Sequence, residues 1–302
     1  MSRKGPASPY RIFTIFVAVI AFWGANWPII KIGLGYMPPL YFALARFLIG
    51  AGTLFMILLF SGRMAIPKRA DAKILFSEAI LHMAAPIALM NLALEHVAAG
   101  RSAILSYTTP LWLAPASLLI LGERLSAGKA AGLGLGLLGL IVLFNPLSFD
   151  WGSRETLIGN GLLMLAALTW AVAIVVARTN IWTTGPLQLS PWQMLIAAPV
   201  LAPAAMIFER FDNIHWSGEL VAAMAFNGPI ATGFCFWGAL VVASELPVLT
   251  TSMGFLGVPV AGVIFSAIVL GEPLTSALVT GLFLIVAGII MINSSDRRRA
   301  AP

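Results

Sequence analysis

From Ile12 to Ile30 the chain runs without a charged residue, and runs of this kind recur along its whole length. A helix of about 20 apolar residues crosses the hydrocarbon of a bilayer. Backbone polar groups must be satisfied internally there, so only helices and closed barrels can span it. Long uninterrupted runs exclude the barrel. Spans are expected near Ile12–Ile30, Pro39–Phe60, Ile74–Leu94, Ala99–Leu121, Ala127–Asn145, Leu157–Ala177, Pro191–Phe208, Leu220–Ala243, Val248–Leu270 and Thr275–Asn293. The fold class is therefore an all-α integral membrane protein with ten transmembrane helices. Arg3 and Lys4 before the first run resemble a secretory leader, but the run is longer than a typical leader core and holds Trp23, Asn26 and Trp27. It is read as the first span.

Composition agrees with this reading. Charged residues make up 10% of the 302 positions, against roughly 25% in soluble domains. The net charge of +6 sits in short loop clusters, which suits anionic lipid and leaves no basic face for nucleic acid. Lys and Arg are retained on the cytoplasmic side. With the N-terminus inside, 13 of them fall on the inner side and four (Lys31, Arg101, Arg154 and Arg210) on the outer side, Arg46 lying within a span. Both termini are thus expected in the cytoplasm, with the chain in the inner membrane. The single Cys235 lies in an apolar run, so neither a disulfide framework nor a cysteine metal site is available.

A duplication gives the spans an internal order. Adding 149 maps Pro110 to Pro259, Leu121-Gly122-Glu123 to Leu270-Gly271-Glu272, Leu125 to Leu274, Gly132 to Gly281 and Gly139 to Gly288. The first spans align less strongly and at an offset of 147, Trp23 with Trp170 and Lys31 with Arg178, while Pro86 and Pro229 need another again. Five helices separate the copies, and an odd number inverts the second. The halves are taken as 1–148 and 149–302. Inverted repeats allow a central site to open alternately to each side.

Phe22-Trp23-Gly24-Ala25-Asn26-Trp27, Ala45-Arg46-Phe47 and the two Pro-to-Leu-Gly-Glu blocks resemble the EamA-type permeases of the drug/metabolite transporter superfamily. Within that family the chain looks most like the YddG-type exporters of aromatic amino acids. The resemblance implies metabolite or drug export and a central cavity lined by spans one, three, four, six, eight and nine.

Polar and aromatic residues at mid-span are the candidate site, because hydrocarbon tolerates them poorly. Trp23 and Asn26 share a face of span one, and Trp170 is the counterpart in span six. Span three carries Glu78, His82 and Pro86 at steps of four. His82 belongs to the residue type that changes charge near neutral pH, and a hydrogen-bonded structural role beside Glu78 is the alternative. Tyr107 precedes Pro110 in span four, and Pro259 is its counterpart in span nine. Each proline removes a backbone donor and frees a carbonyl one turn earlier, so Pro86, Pro110 and Pro259 are candidate helix breaks and gates. Asn227 and Phe234, seven apart in span eight, and Phe255 in span nine complete the list.

Arg46 must snorkel, pair or face water, either anchoring a substrate carboxylate or tying span two into the bundle. Gly271 before Glu272, and Gly122 before Glu123, suggest helix C-caps, with each glutamate at the N-terminus of the helix that follows. Gly134 to Gly139 match G-x-G-x-x-G, but inside an apolar span with no preceding strand. Gly128, Gly132 and Gly136 form G-x-x-x-G steps instead. These are read as internal packing, favouring a monomer over a homodimer.

No H-E-x-x-H, G-x-S-x-G or paired-aspartate constellation is present, so catalytic residues, metals and cofactors are not expected and an intramembrane enzyme is disfavoured. The expected function is export of amphipathic small molecules, above all aromatic amino acids and related metabolites or drugs. Nucleosides or non-aromatic amino acids are the alternative cargo. No carboxylate falls clearly at a midplane, which favours facilitated exchange, with His82 or Glu78 as the proton-responsive route. A small solute and the lipid bilayer are the expected partners.

Overall fold

The computed structural model describes residues 9–113, 115, 126–144, 153–180, 182–246, 251 and 254–300. Among them the secondary structure is helical throughout. Six helices are long and apolar enough to cross a membrane, three of them α1 (Pro9–Leu34), α2 (Pro39–Phe60) and α3 (Arg69–Leu94). The other three are α6 (Arg154–Thr179), α7 (Pro186–Phe208) and α8 (Gly218–Glu245). The remaining helices are α4 (Ala99–Ser106), α5 (Ala127–Phe144), α9 (Gly257–Leu270) and α10 (Ser276–Ala300), of which α5, α9 and α10 are apolar.

Local sequence sets several of these ends. Pro39 and Pro186 open α2 and α7, where a missing N–H is no loss. Ser153 and Ser217 accept from Thr156 N and Leu220 N as N-caps of α6 and α8. The outer face of the bundle is apolar: Phe60 is 82% exposed, Phe208 80% and Phe283 70%. Hydrocarbon is the solvent that fits such a face, and the chain is a multi-pass membrane protein.

Helix contacts repeat when α1–α5 are exchanged for α6–α10. α1 packs on α9 as α6 packs on α4, and α1 meets α8 as α6 meets α3. α2 with α7, α4 with α9 and α5 with α10 pair across the exchange. In the last pair, a Cβ on Gly132 would meet Gly288 O at 2.7 Å, and one on Gly288 would meet Gly132 O at 2.6 Å. Only hydrogen fits between these backbones, so the G-x-x-x-G face is seated inside the molecule against α10.

Candidate functional site

Two of the long helices loosen into π-helix at mid-span: Ala79–Ala84 in α3 and Asn227–Phe234 in α8. Adding 149 to 79–84 gives 228–233, which falls within the second segment. The repeat therefore continues through the middle helices even though Pro86 and Pro229 do not align. Such widened turns recur at functional sites.

Each segment leaves a carbonyl for the other half. Pro86 has no N–H to offer His82 O four residues back, and Trp170 Nε1 donates to that oxygen at 2.9 Å. In α8, the Cys235 N–H is directed to Ile230 O and Thr232 O. Ala231 O, its acceptor in a regular α-helix, instead receives Trp23 Nε1 at 2.8 Å. His82 plus 149 is Ala231. The two tryptophans that aligned by sequence thus make reciprocal bonds, each from the first helix of one half to the third helix of the other.

The remaining prolines also mark interruptions. α4 ends at Ser106 and Tyr107–Thr108 form a turn before Pro110. Pro110 cannot donate to Ser106 O, and Thr109 Oγ1 does so at 3.2 Å. In the second half the turn falls at Leu256, the residue 149 after Tyr107, with Pro259 third in α9.

Around these breaks the rings form one line. Phe255 to Trp23 is 5.6 Å between centroids, Trp23 to Phe236 6.1 Å, Phe236 to His82 6.2 Å and His82 to Trp170 6.5 Å. Trp23, His82, Trp170 and Phe255 come together as a group. The link is Phe236, which spacing did not single out. Phe234 is not in that line and contacts Phe22 at 5.9 Å and Trp237 at 5.5 Å. Two turns of α-helix carry Asn227 to Phe234, but a π-turn closes on i+5 and takes up more residues, which moves the facing position onward.

His82 Nδ1 lies 2.8 Å from Glu78 Oε2, with the histidine side chain 39% exposed and the glutamate 4%. The acid is therefore buried beside the ring, and the ring stands between Trp170 and Phe236. Asn26 and Asn227 are tied to each other instead: Asn227 Nδ2 donates to Asn26 Oδ1 at 2.6 Å, and both are buried. Thr232 Oγ1 donates to Asn227 O at 2.8 Å, and Arg46 Nε to Thr232 Oγ1 at 2.7 Å. A continuous polar chain thus runs from α1 through α8 to α2.

Carboxylates fasten the ends of the bundle. Gly271, at φ +67°, caps α9 as expected. Glu272 corrects the expectation attached to it, since it does not serve α10: its oxygens accept Ala99 N at 2.6 Å and Gly100 N at 2.8 Å, at the start of α4. Glu123, the counterpart, lies outside the described residues.

Glu209, after α7, accepts Leu40 N at 2.8 Å and Tyr41 N at 3.1 Å at the start of α2. Reciprocally Asp71, after α2, accepts Thr183 N and Thr183 Oγ1, both at 2.8 Å, ahead of α7. Burial pushes the Glu209 carboxyl above its ordinary value, against the pull of the two N–H donors. Glu209 directly follows its span, whereas Asp71 lies at the start of α3, so the two share no common sequence position.

Helices broken at matching points around a ring-lined centre, inside an apolar exterior, define a membrane transporter of duplicated build. The chain belongs to the EamA-like transporter family, whose model matches residues 11–145 and 157–294. It is a transporter and not an enzyme. It is 28% identical over 285 residues to the uncharacterized transporter YoaV of Bacillus subtilis, covering 94% of this chain and 97% of that one. A probable amino-acid metabolite efflux pump of Salmonella typhimurium is 27% identical, over 90% of this chain and 91% of its own. A solved crystal structure superposes with a TM-score of 0.66 at 20% identity, covering 97% of this chain and 100% of that chain, and shows the fold alone.

Proposed function

We propose that this transporter exports amphipathic small molecules, chiefly aromatic amino acids and related metabolites or drugs, by alternating access. In this reading ten spans form two inverted five-helix halves, 1–148 and 149–302, in the inner membrane with both termini cytoplasmic, and the protein works as a monomer. The solute lies at mid-membrane against Trp23, His82, Tyr107, Trp170, Phe236 and Phe255, while Asn26 and Asn227 hold the wall from behind. Pro86, Pro110 and Pro259 mark where the helices flex.

The line of rings from Phe255 to Trp170 carries this reading. A ring stacked on it gains about 0.5–1.5 kcal/mol beyond its burial. Both indole N–H groups are already spent on carbonyls, so the tryptophans offer faces and not donors. The name of the Salmonella relative, an amino-acid metabolite efflux pump, supports the amino-acid class. The test is uptake of labelled phenylalanine, leucine and a nucleoside into proteoliposomes. Phenylalanine is expected to enter faster than into empty vesicles and faster than the other two. Preference for leucine or the nucleoside would overturn the aromatic reading.

A further inference from the structure

α2 presents Ala43, Arg46, Phe47, Gly50, Ala51 and Leu54 to the interior, and Arg46 is the eighth of its 22 residues. At 1.5 Å per residue its Cα lies about 10 Å below the start of the helix. The side chain is 4% exposed, and its one hydrogen bond among the described residues runs from Nε to the neutral Thr232 hydroxyl. The terminal nitrogens carry no partner there, yet they are not among the sealed polar atoms of the core. They keep some accessible surface.

A buried guanidinium needs an opposing charge, because the centre of a bilayer penalises an arginine by about 2.5–3.5 kcal/mol or more. The described acids near the bundle interior are otherwise engaged. Glu78 holds His82, and Asp71, Glu209 and Glu272 hold backbone N–H groups at helix ends. Thr232 fixes Nε, which leaves the two Nη groups, unpartnered among the described residues, as a fork of the kind that takes a carboxylate side by side.

Thr232 also follows Ala231, whose carbonyl Trp23 holds, so the residue that tethers Arg46 is adjacent in α8 to one bonded to the line of rings. We infer that Arg46 binds the carboxylate of the transported solute, with the apolar part of that solute on the neighbouring rings. This rests on the export reading above and narrows it to solutes bearing a carboxylate.

The test uses purified full-length protein in nanodiscs and two matched pairs, phenylalanine with phenylalaninamide and leucine with leucinamide. Wild type is expected to bind the acid of at least one pair roughly tenfold or more tighter than its amide, the range of a charge-assisted hydrogen bond. Arg46→Gln is expected to bring that ratio to about one, and Arg46→Lys to leave an intermediate ratio. Thr232→Val, which removes the tether and keeps the charge, is expected to retain a preference for the acid. Preference for leucine alone would sink the aromatic reading and leave the Arg46 inference standing. No preference for either acid in wild type, or a ratio unchanged in Arg46→Gln, overturns it. Should Arg46→Gln not fold, the wild-type ratio together with Arg46→Lys still decides.

Discussion

The two π-segments share a skeleton and differ in their polar cargo. In both, a carbonyl is left without its helical donor, by Pro86 in the first and by the widened turn in the second, and a tryptophan from the other half takes it up. In the first half that carbonyl belongs to His82, whose ring stands beside Glu78. In the second it belongs to Ala231, whose neighbour Thr232 anchors the fixed charge of Arg46. Duplication thus preserved what backbone accounting demands. Side-chain chemistry was free to diverge, giving a His82–Glu78 pair in one half and a tether for Arg46 in the other.

The shared skeleton predicts paired effects. Gly132→Leu and Gly288→Leu each drive a side chain into the opposing backbone, so each is expected to destabilise by about 3 kcal/mol. Gly134→Leu, which meets nothing, is the silent comparison in the same thermal-unfolding series. Equal losses at 132 and 288 support the reciprocal contact; a loss at one position alone breaks it.

Trp170→Phe and Trp23→Phe keep a ring and delete the donor, stranding His82 O and Ala231 O respectively. Each is expected to lose ~1–3 kcal/mol. The halves then part company. Pro86→Ala restores an N–H aimed at His82 O and should rescue Trp170→Phe only, because the Ala231 carbonyl is freed by the π-shift itself. Rescue of both, or of neither, in a double-mutant cycle would contradict the separate causes assigned here.

The divergent cargo predicts an unpaired effect. His82→Ala removes the ring between Trp170 and Phe236 and the partner of the buried Glu78, so it is expected to lose about 1–3 kcal/mol in thermal unfolding. An unchanged midpoint in His82→Ala would contradict the role given to this contact.

The smallest effect is expected at Glu209. Because burial raises its carboxyl, the folded state holds the proton more tightly than the unfolded chain. Its contribution to stability therefore falls as pH rises through the raised value. At pH 7, Glu209→Gln should change stability by less than about 0.5 kcal/mol, despite the two N–H donors it faces. Asp71→Asn, which weakens contacts from Thr183 and Thr184 to a buried acid, should lose more.

Much of the skeleton was legible in the amino acids. Apolar runs located the long helices, Pro39–Phe60 to the residue, because hydrocarbon imposes length and leaves few alternatives. The 149-residue register exposed the glycine contacts and the breaks before Pro110 and Pro259. It failed to reveal the π-segments, since their marker is hydrogen-bond displacement and the prolines nearby are out of step. For the same reason Phe236 escaped notice while Phe234 was favoured, as 3.6-residue periodicity does not survive a widened turn. Glu272 and Arg46 show the other limit. A side chain that reaches across to another helix leaves no trace in local spacing.

The reciprocal tryptophan bonds between the halves are the centre of this account, and indole proton exchange reads them directly. With 15N-labelled tryptophan in nanodiscs, and Trp23→Phe and Trp170→Phe to assign the resonances, both indole N–H groups should exchange with deuterium far more slowly than that of Trp216, which is 70% exposed. Exchange of either one as fast as Trp216 would contradict the account.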